Sequence, residues 1–336
     1  MLESTGSIHI FPRRGSAMTI SNRTALLLGK AVGDALGAGV ETATPDTATT
    51  FVAEVLRPLK IPSKTPANRP FGQYTDDTQM AREMLVHVRD NTTFHPQKLA
   101  EHWADFVLSG KLVGGGRTTV AAAQAIADGK TWEDAGSPRP SNGSAMRAAV
   151  VALLNPDNLQ DLAATQSRIT HTAPAAQAAS VIMATAAADM LRTPKLDATH
   201  FLEKLAAHAA PYDDATPAQL ELLHDHLKKP PLAVLDVLHT RLGLGAEWRK
   251  YPGVSVHAAE ATLWALYAFL THADDYMAAV GTAISGGGDA DTTAAMTGAL
   301  AGARLGMDAL PKVYLDVIHD NGDWRADDLR ALVSAL

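Results

Sequence analysis

The stretch Ser21-Asn22-Arg23-Thr24-Ala25-Leu26-Leu27-Leu28-Gly29-Lys30-Ala31-Val32-Gly33-Asp34-Ala35-Leu36-Gly37-Ala38-Gly39 decides the fold. It reads as a helix capped by Ser21 or Asn22, with Gly29, Gly33 and Gly37 four residues apart on one face. Glycine inside a helix costs up to about 1 kcal/mol relative to alanine, so a stripe of glycines predicts a neighbouring backbone in close contact. Ala294, Gly298 and Gly302 form a second small-residue stripe at the same spacing near the other end of the chain. Both stripes are expected at the centre of one bundle.

The rest of the chain agrees with a helical fold. Strand signals are scarce, aromatics make up only 5%, and no alternating run flanks a hairpin dipeptide. With 336 residues, 46% of them hydrophobic, the chain can bury one large core, so a single all-α domain over 21–336 is expected. Further helices are predicted near 96–109, 118–128, 144–155, 161–169, 174–191, 198–209, 217–227, 231–240, 256–270, 274–284 and 312–319. Residues 42–73, rich in Thr and Pro, read as a long loop. Residues 192–255 carry Pro194, Pro211, Pro217, Pro230, Pro231 and Pro252 and read as an elaboration of the domain. Residues 1–20 read as a flexible amino-terminal extension.

A formal net charge of -7 argues against a binder of the nucleic-acid backbone. The chain has no cysteine, which excludes disulfides, thiolate zinc sites and thiol nucleophiles and fits a reducing cytoplasm. No stretch reaches about 18 uninterrupted apolar residues, and the start lacks the apolar segment of a secretory signal, so a soluble, cytoplasmic monomer without membrane contact is expected.

Two acidic strings carry the chemistry. Tyr74-Thr75-Asp76-Asp77-Thr78 and Gly287-Gly288-Asp289-Ala290-Asp291-Thr292-Thr293 each crowd two carboxylates and hydroxyls into about one turn of backbone. Such a group repels itself unless a cation or hydrogen bonds compensate. Asp carboxylates and Thr hydroxyls offer oxygen only, the donor set of hard divalent cations. Asp and Thr before an apolar helical run are also ordinary helix caps, and both roles together are expected. Gly114-Gly115-Gly116-Arg117-Thr118-Thr119 and Asn142-Gly143-Ser144-Ala145-Met146-Arg147 open helices, where unpaired amides favour anions. No P-loop, GxSxG elbow or HExxH is present, so an NTPase, a serine hydrolase and a zincin fit poorly.

Gly33-Asp34-Ala35-Leu36-Gly37 with Glu41, then Thr75-Asp76-Asp77-Thr78, Asn142 to Arg147, Thr170-His171 and Gly287 to Thr292 follow one another in an order that resembles the ADP-ribosylglycohydrolase family. The resemblance spans roughly Leu26 to Gly306. It implies an orthogonal helical bundle holding two divalent cations, Mg²⁺ or Mn²⁺, at the bottom of a cleft. The ligands it implies are Thr75, Asp76, Asp77, Asp289, Asp291 and Thr292. Glu41, or one of the metal-side aspartates Asp76 and Asp77, would activate water. Gly114, Gly115, Gly116, Thr118, Asn142, Gly143, Ser144, Met146, His171, Gly287 and Gly288 would hold the ribose and diphosphate. The implied reaction frees ADP-ribose from an ADP-ribosylated protein side chain.

Three departures from the family pattern stand out, the first being that residues 1–20 and the 192–255 insert fall outside the resemblance. Ser141 occupies the place of the family's usual glycine before Asn-Gly. Gly114-Gly115-Gly116 replaces an acid that arginine-directed relatives often carry, so the resemblance does not carry arginine specificity with it. Alternative readings are hydrolysis of ADP-ribosylated nucleotides or small molecules, and an immunity protein that binds a toxin ADP-ribosyltransferase. In the latter, Ile8, Ile10, Phe11, Arg13 and Arg14 would form a recognition arm.

Overall fold

Thr19 Oγ1 accepts the backbone N–H of Asn22 at 3.1 Å and starts the first helix, α1 (Ile20–Gly37), in a computed structural model that describes residues 8–9, 19–193, 195–248 and 252–336. The cap is therefore Thr19 rather than Ser21 or Asn22. Those two side chains reach across the fold instead: Ser21 Oγ accepts the Met307 N–H at 3.2 Å, and Asn22 Nδ2 donates to the Ala303 carbonyl at 2.8 Å.

Beyond α1 the chain forms α2 (Pro45–Phe51), extended by a π turn over Val52–Leu56, then α3 (Asp76–Asn91), α4 (Pro96–Leu108), α5 (Arg117–Ala127) and the short α6 (Trp132–Ala135). The middle of the chain folds as α7 (Leu159–Arg168), α8 (Pro174–Met190), α9 (Ala198–Ala209), α10 (Thr216–His226) and α11 (Pro231–Arg241). It closes with α12 (Ala258–Thr271), α13 (Tyr276–Ser285), α14 (Ala290–Leu305), α15 (Lys312–Leu315) and α16 (Ala326–Ser334). The fold is all-α. A two-residue antiparallel pairing of β1 (Ile8–His9) with β2 (Thr93–Phe94) is the one sheet among the described residues. Ile10, Phe11, Arg13 and Arg14 of the amino-terminal extension lie outside the described residues.

The glycine stripes do what their cost requires. A Cβ on Gly29 would lie 2.4 Å from the Gly298 carbonyl oxygen, one on Gly33 2.1 Å from that of Ala294, and one on Gly37 2.3 Å from that of Ala290. Gly302 approaches the Ala25 carbonyl in the same way. Four residues forward on α1 are thus four residues back on α14, so the two central helices run antiparallel with backbones in contact. Around this pair, α8 and α12 are buried through most of their length, which explains why their sequences are alanine-rich and apolar on every side.

Three expectations need correction. The stretch 42–73 is not all loop: Thr44 Oγ1 accepts the Thr47 N–H at 3.2 Å and Pro45 takes the first position of α2, where its missing N–H costs nothing. The predicted helix at 144–155 is instead two 3₁₀ segments, Asn142–Ser144 and Ala148–Leu154. Here the Arg147 guanidinium takes the Gly143 carbonyl and Lys30 Nζ takes the Met146 carbonyl, two acceptors that an α-helix would use. At the carboxyl end the helix near 312–319 stops at Leu315, while α16, unforeseen, starts where the Arg325 N–H donates to Asp328 Oδ2 at 2.8 Å. The 192–255 stretch contributes α9, α10 and α11. No helix among the described residues is long and apolar enough to cross a membrane.

Candidate active site

Antiparallel packing of α1 on α14 places the end of one helix beside the start of the other, so Glu41 falls near Asp289 and Asp291. Gly287 and Gly288 fasten this junction. Both have positive φ, at 61° and 62°, and a Cβ on either would strike a backbone carbonyl, of Ala43 or of Val254. The Gly288 carbonyl accepts the Thr42 N–H at 2.7 Å, and its N–H donates to Ala43 at 2.9 Å. These glycines therefore tie the chain after Glu41 to the first turn of α14. They do not line the cavity.

The other acidic string is aimed by α1 as well. Asp34 is buried; its Oδ1 accepts the Thr75 N–H at 2.9 Å and the Thr75 hydroxyl at 2.8 Å, and its Oδ2 accepts the Thr78 N–H at 2.9 Å. Asp34 thus serves as the cap of α3 from a different helix. Neither Thr75 nor Asp289, at the N-cap positions of α3 and α14, makes a side-chain cap bond, so the double role expected of the two strings is not observed. Thr292 Oγ1 donates to Asp77 Oδ2 at 3.3 Å and joins the two strings directly.

Electrostatics at this junction are unfavourable for the protein alone. Burial, then Asp34, pushes the Asp76 carboxyl up to about 7, while an N–H from Gly116 works against the shift. Burial lifts Asp289 to about 6 despite a hydrogen bond from Asn142, and Asp77 and Asp291 are raised well above the usual carboxylate range. Lys30 lies buried behind the cluster, held by the Met146 carbonyl at 2.7 Å, and burial lowers its pKa against the pull of Asp77 and Asp34. Glu41 pairs with Arg69.

These residues fit hard divalent cations. The side chains of the two strings offer only oxygen, Lys30 offsets only part of their charge, and Asp77 Oδ1 is buried without a hydrogen-bond partner. Among the described residues, no three His, Asp or Glu side chains are gathered closely enough to hold a metal ion as they stand.

The site opens into a cavity of about 610 Å³, within the range of small-molecule pockets. Its floor carries Glu41, Asp76, Asp77, Asp289, Asp291 and Thr292. Of the other predicted residues, Gly114, Gly115, Gly116 and Thr118 form one wall. Asn142, Gly143, Met146 and His171 line the cavity as well, with Gly143 beside Thr119. Thr75 is spent on Asp34 and Asp77, at 3.2 Å from the latter, and does not reach the cavity. Ser144 also points away, sharing hydrogen bonds with Ser167 at 2.8 Å and Ser180 at 3.1 Å in the core.

Glycine is required at two of these positions. Gly114 has a φ of 81° and packs on Asp76; a Cβ on Gly143 would meet His171 Cε1 at 2.8 Å. Sequence reasoning missed Arg139 and Glu247, which also line the cavity. The Arg139 guanidinium lies 4.3 Å from the centre of the Trp248 ring, and Trp248 packs edge-on against His257. Nothing local marks these residues, because Trp248 and Arg139 lie far apart in sequence.

The sequence model of the ADP-ribosylglycohydrolase family matches residues 17–336. This chain belongs to that family. Membership points to hydrolysis of ADP-ribose linkages, the activity named in its relatives. ADP-ribosyl-[dinitrogen reductase] glycohydrolase of Rhodospirillum rubrum is 26% identical, over 92% of this chain and 93% of its own. The human ADP-ribosylhydrolase ARH3 is 25% identical over 89% and 90% respectively. Among solved structures, an ADP-ribosylglycohydrolase-related protein complex contains a chain similar at a TM-score of 0.69 and 25% identity, covering 94% of this chain and 96% of that one. The family match extends past the motif-bearing stretch and includes 192–255 and the carboxyl-terminal helices.

Proposed function

We propose that this family member is a metal-dependent hydrolase that frees ADP-ribose from modified protein side chains. The observation that carries the reading is the meeting of Asp76 and Asp77 with Asp289 and Asp291 on the floor of one cavity, beside Glu41. Two divalent cations, Mg²⁺ or Mn²⁺, held by Asp76, Asp77, Asp289, Asp291 and Thr292, with Thr75 behind them, would supply Lewis-acid stabilisation to the substrate's ribose oxygens.

The chain's own groups account for the remainder. Glu41 sits at the cavity with its carboxylate oriented by Arg69, placed to accept a proton from water as that water attacks the anomeric carbon. The new C–O bond replaces the bond to the protein side chain, which leaves with its electron pair and takes up a proton. Positive charge that develops on the ribose is stabilised by the surrounding carboxylates. The 114–118 wall and the 142–146 wall would clasp the ADP moiety. Protein-linked ADP-ribose is the preferred substrate, and Glu247, an exposed residue of the cavity lining, marks a side from which a macromolecule could approach. Incubation with Arg-, Ser- and nucleotide-linked ADP-ribose, each with Mg²⁺ and with Mn²⁺, tests the assignment. Release from the nucleotide-linked substrate alone would replace it.

A further inference from the structure

Behind the His171 wall runs a chain of hydrogen bonds whose direction can be worked out. The buried Arg147 guanidinium, a donor only, gives a hydrogen to Thr170 Oγ1 at 2.7 Å. It is held there by Gln166 Oε1 at 2.8 Å and by the Gly143 carbonyl, and it lies 4.1 Å from the centre of the Trp103 ring. Thr170 Oγ1 lies 2.7 Å from His171 Nδ1, and His171 Nε2 lies 2.9 Å from Ser141 Oγ.

Two proton arrangements satisfy these contacts. If Nδ1 carried the hydrogen, Thr170 Oγ1 would accept twice and its own hydrogen would be left without an acceptor, in a residue 3% exposed. If Thr170 donates to Nδ1 instead, Nε2–H donates to Ser141 Oγ, and every buried donor is used. The hydrogen left over is then that of Ser141, which lines the cavity. Burial and the Arg147 charge favour the neutral ring that both arrangements contain, and the Thr170 hydrogen decides between them.

We propose that Ser141 is a substrate-binding donor, its hydroxyl aimed by the Arg147–Thr170–His171 relay at a phosphoryl oxygen of the ADP moiety. The anionic acceptor is favoured because Arg139, two residues away and also on the cavity wall, presents a guanidinium that stacks on Trp248 and has no protein acceptor among the described residues. Thr170 and Arg147 are positioning residues. The inference rests on the hydrolase reading above.

Titration calorimetry of the Mg²⁺-loaded protein with ADP-ribose separates the two. A wild-type chain that fails to bind ADP-ribose overturns the hydrolase reading and this inference with it. Given binding, Ser141→Ala and Ser141→Gly should each weaken ADP-ribose about 10-fold or more, the scale of a hydrogen bond to a charged acceptor, and leave adenosine affinity unchanged. A change under twofold, or an equal loss with adenosine, overturns the inference. The relay has its own readout in the wild-type chain. In ¹⁵N spectra, with His171→Asn used for assignment, the His171 ring should show hydrogen on Nε2 and none on Nδ1; the opposite tautomer contradicts the mechanism.

Discussion

The Asp34 carboxylate on α1 accepts the backbone N–H of Thr78 in the first turn of α3 at 2.9 Å. With its second oxygen on Thr75, it fixes the start of α3 relative to the central helix pair and so aims Asp76 and Asp77 into the cavity. Asp34→Ala removes this cap, a change worth about 1–2 kcal/mol. Deleting a buried carboxylate whose ionisation burial opposes offsets part of that loss. Urea denaturation should show modest destabilisation, while hydrolysis should fall far more steeply. Unchanged turnover would mean that Asp76 and Asp77 keep their aim without Asp34.

Gly33→Ala tests the close packing of the centre. The added Cβ would lie 2.1 Å from the Ala294 carbonyl oxygen, so α14 must move. Overpacking of this kind costs about 1–3 kcal/mol, more than the up to about 1 kcal/mol that alanine gains in a helix. Thermal denaturation should show a lowered midpoint. A raised midpoint would mean that the helices are not in backbone contact.

The two glycine stripes were legible in the sequence because their cost in a helix has to be offset by something, and a second stripe of equal spacing supplies it. The acidic strings were legible for a similar reason, since self-repelling carboxylates need a counter-charge. What escaped sequence reading depends on partners distant along the chain. Asp34 stands within a motif, yet its partners are 41 and 44 residues away. Ser144 is drawn into the core by Ser167 and Ser180, which no local pattern announces. The Thr44-Pro45 start of α2 was overlooked because both residues also mark loops, and only their order distinguishes a cap followed by a first helical position.

Glu41→Gln preserves shape and removes the proton acceptor proposed for the attacking water. Turnover should fall by about 10²–10⁴-fold, the usual contribution of a general base, with affinity for Mn²⁺ nearly unchanged. Stopped assays and metal titration on the same preparation check this. Normal turnover with metal bound would transfer the base role to Asp76 or Asp77.

Protonation and metal binding should compete at the cavity floor. The folded, metal-free protein holds Asp76 at about 7 and Asp289 at about 6, both above the unfolded value of 3.8. It therefore binds more protons than the unfolded chain, and their contribution to stability is present in acid and lost as pH rises from about 4 to about 7. His171, lowered to about 3 by burial, acts in the opposite sense, costing stability as pH falls below 6.5, but equally with and without metal. The gap in melting temperature between Mg²⁺-loaded and metal-free protein should thus widen from pH 5 to pH 8. A gap that is constant across that range would show that these carboxylates do not bind the ion.

The most direct test is release of ADP-ribose from an ADP-ribosylated protein by exhaustively demetallated enzyme, measured before and after addition of Mg²⁺ or Mn²⁺. Four aspartates converging from two helix starts predict no turnover without a divalent cation and recovery once it is supplied. Full turnover in the demetallated protein would contradict the account.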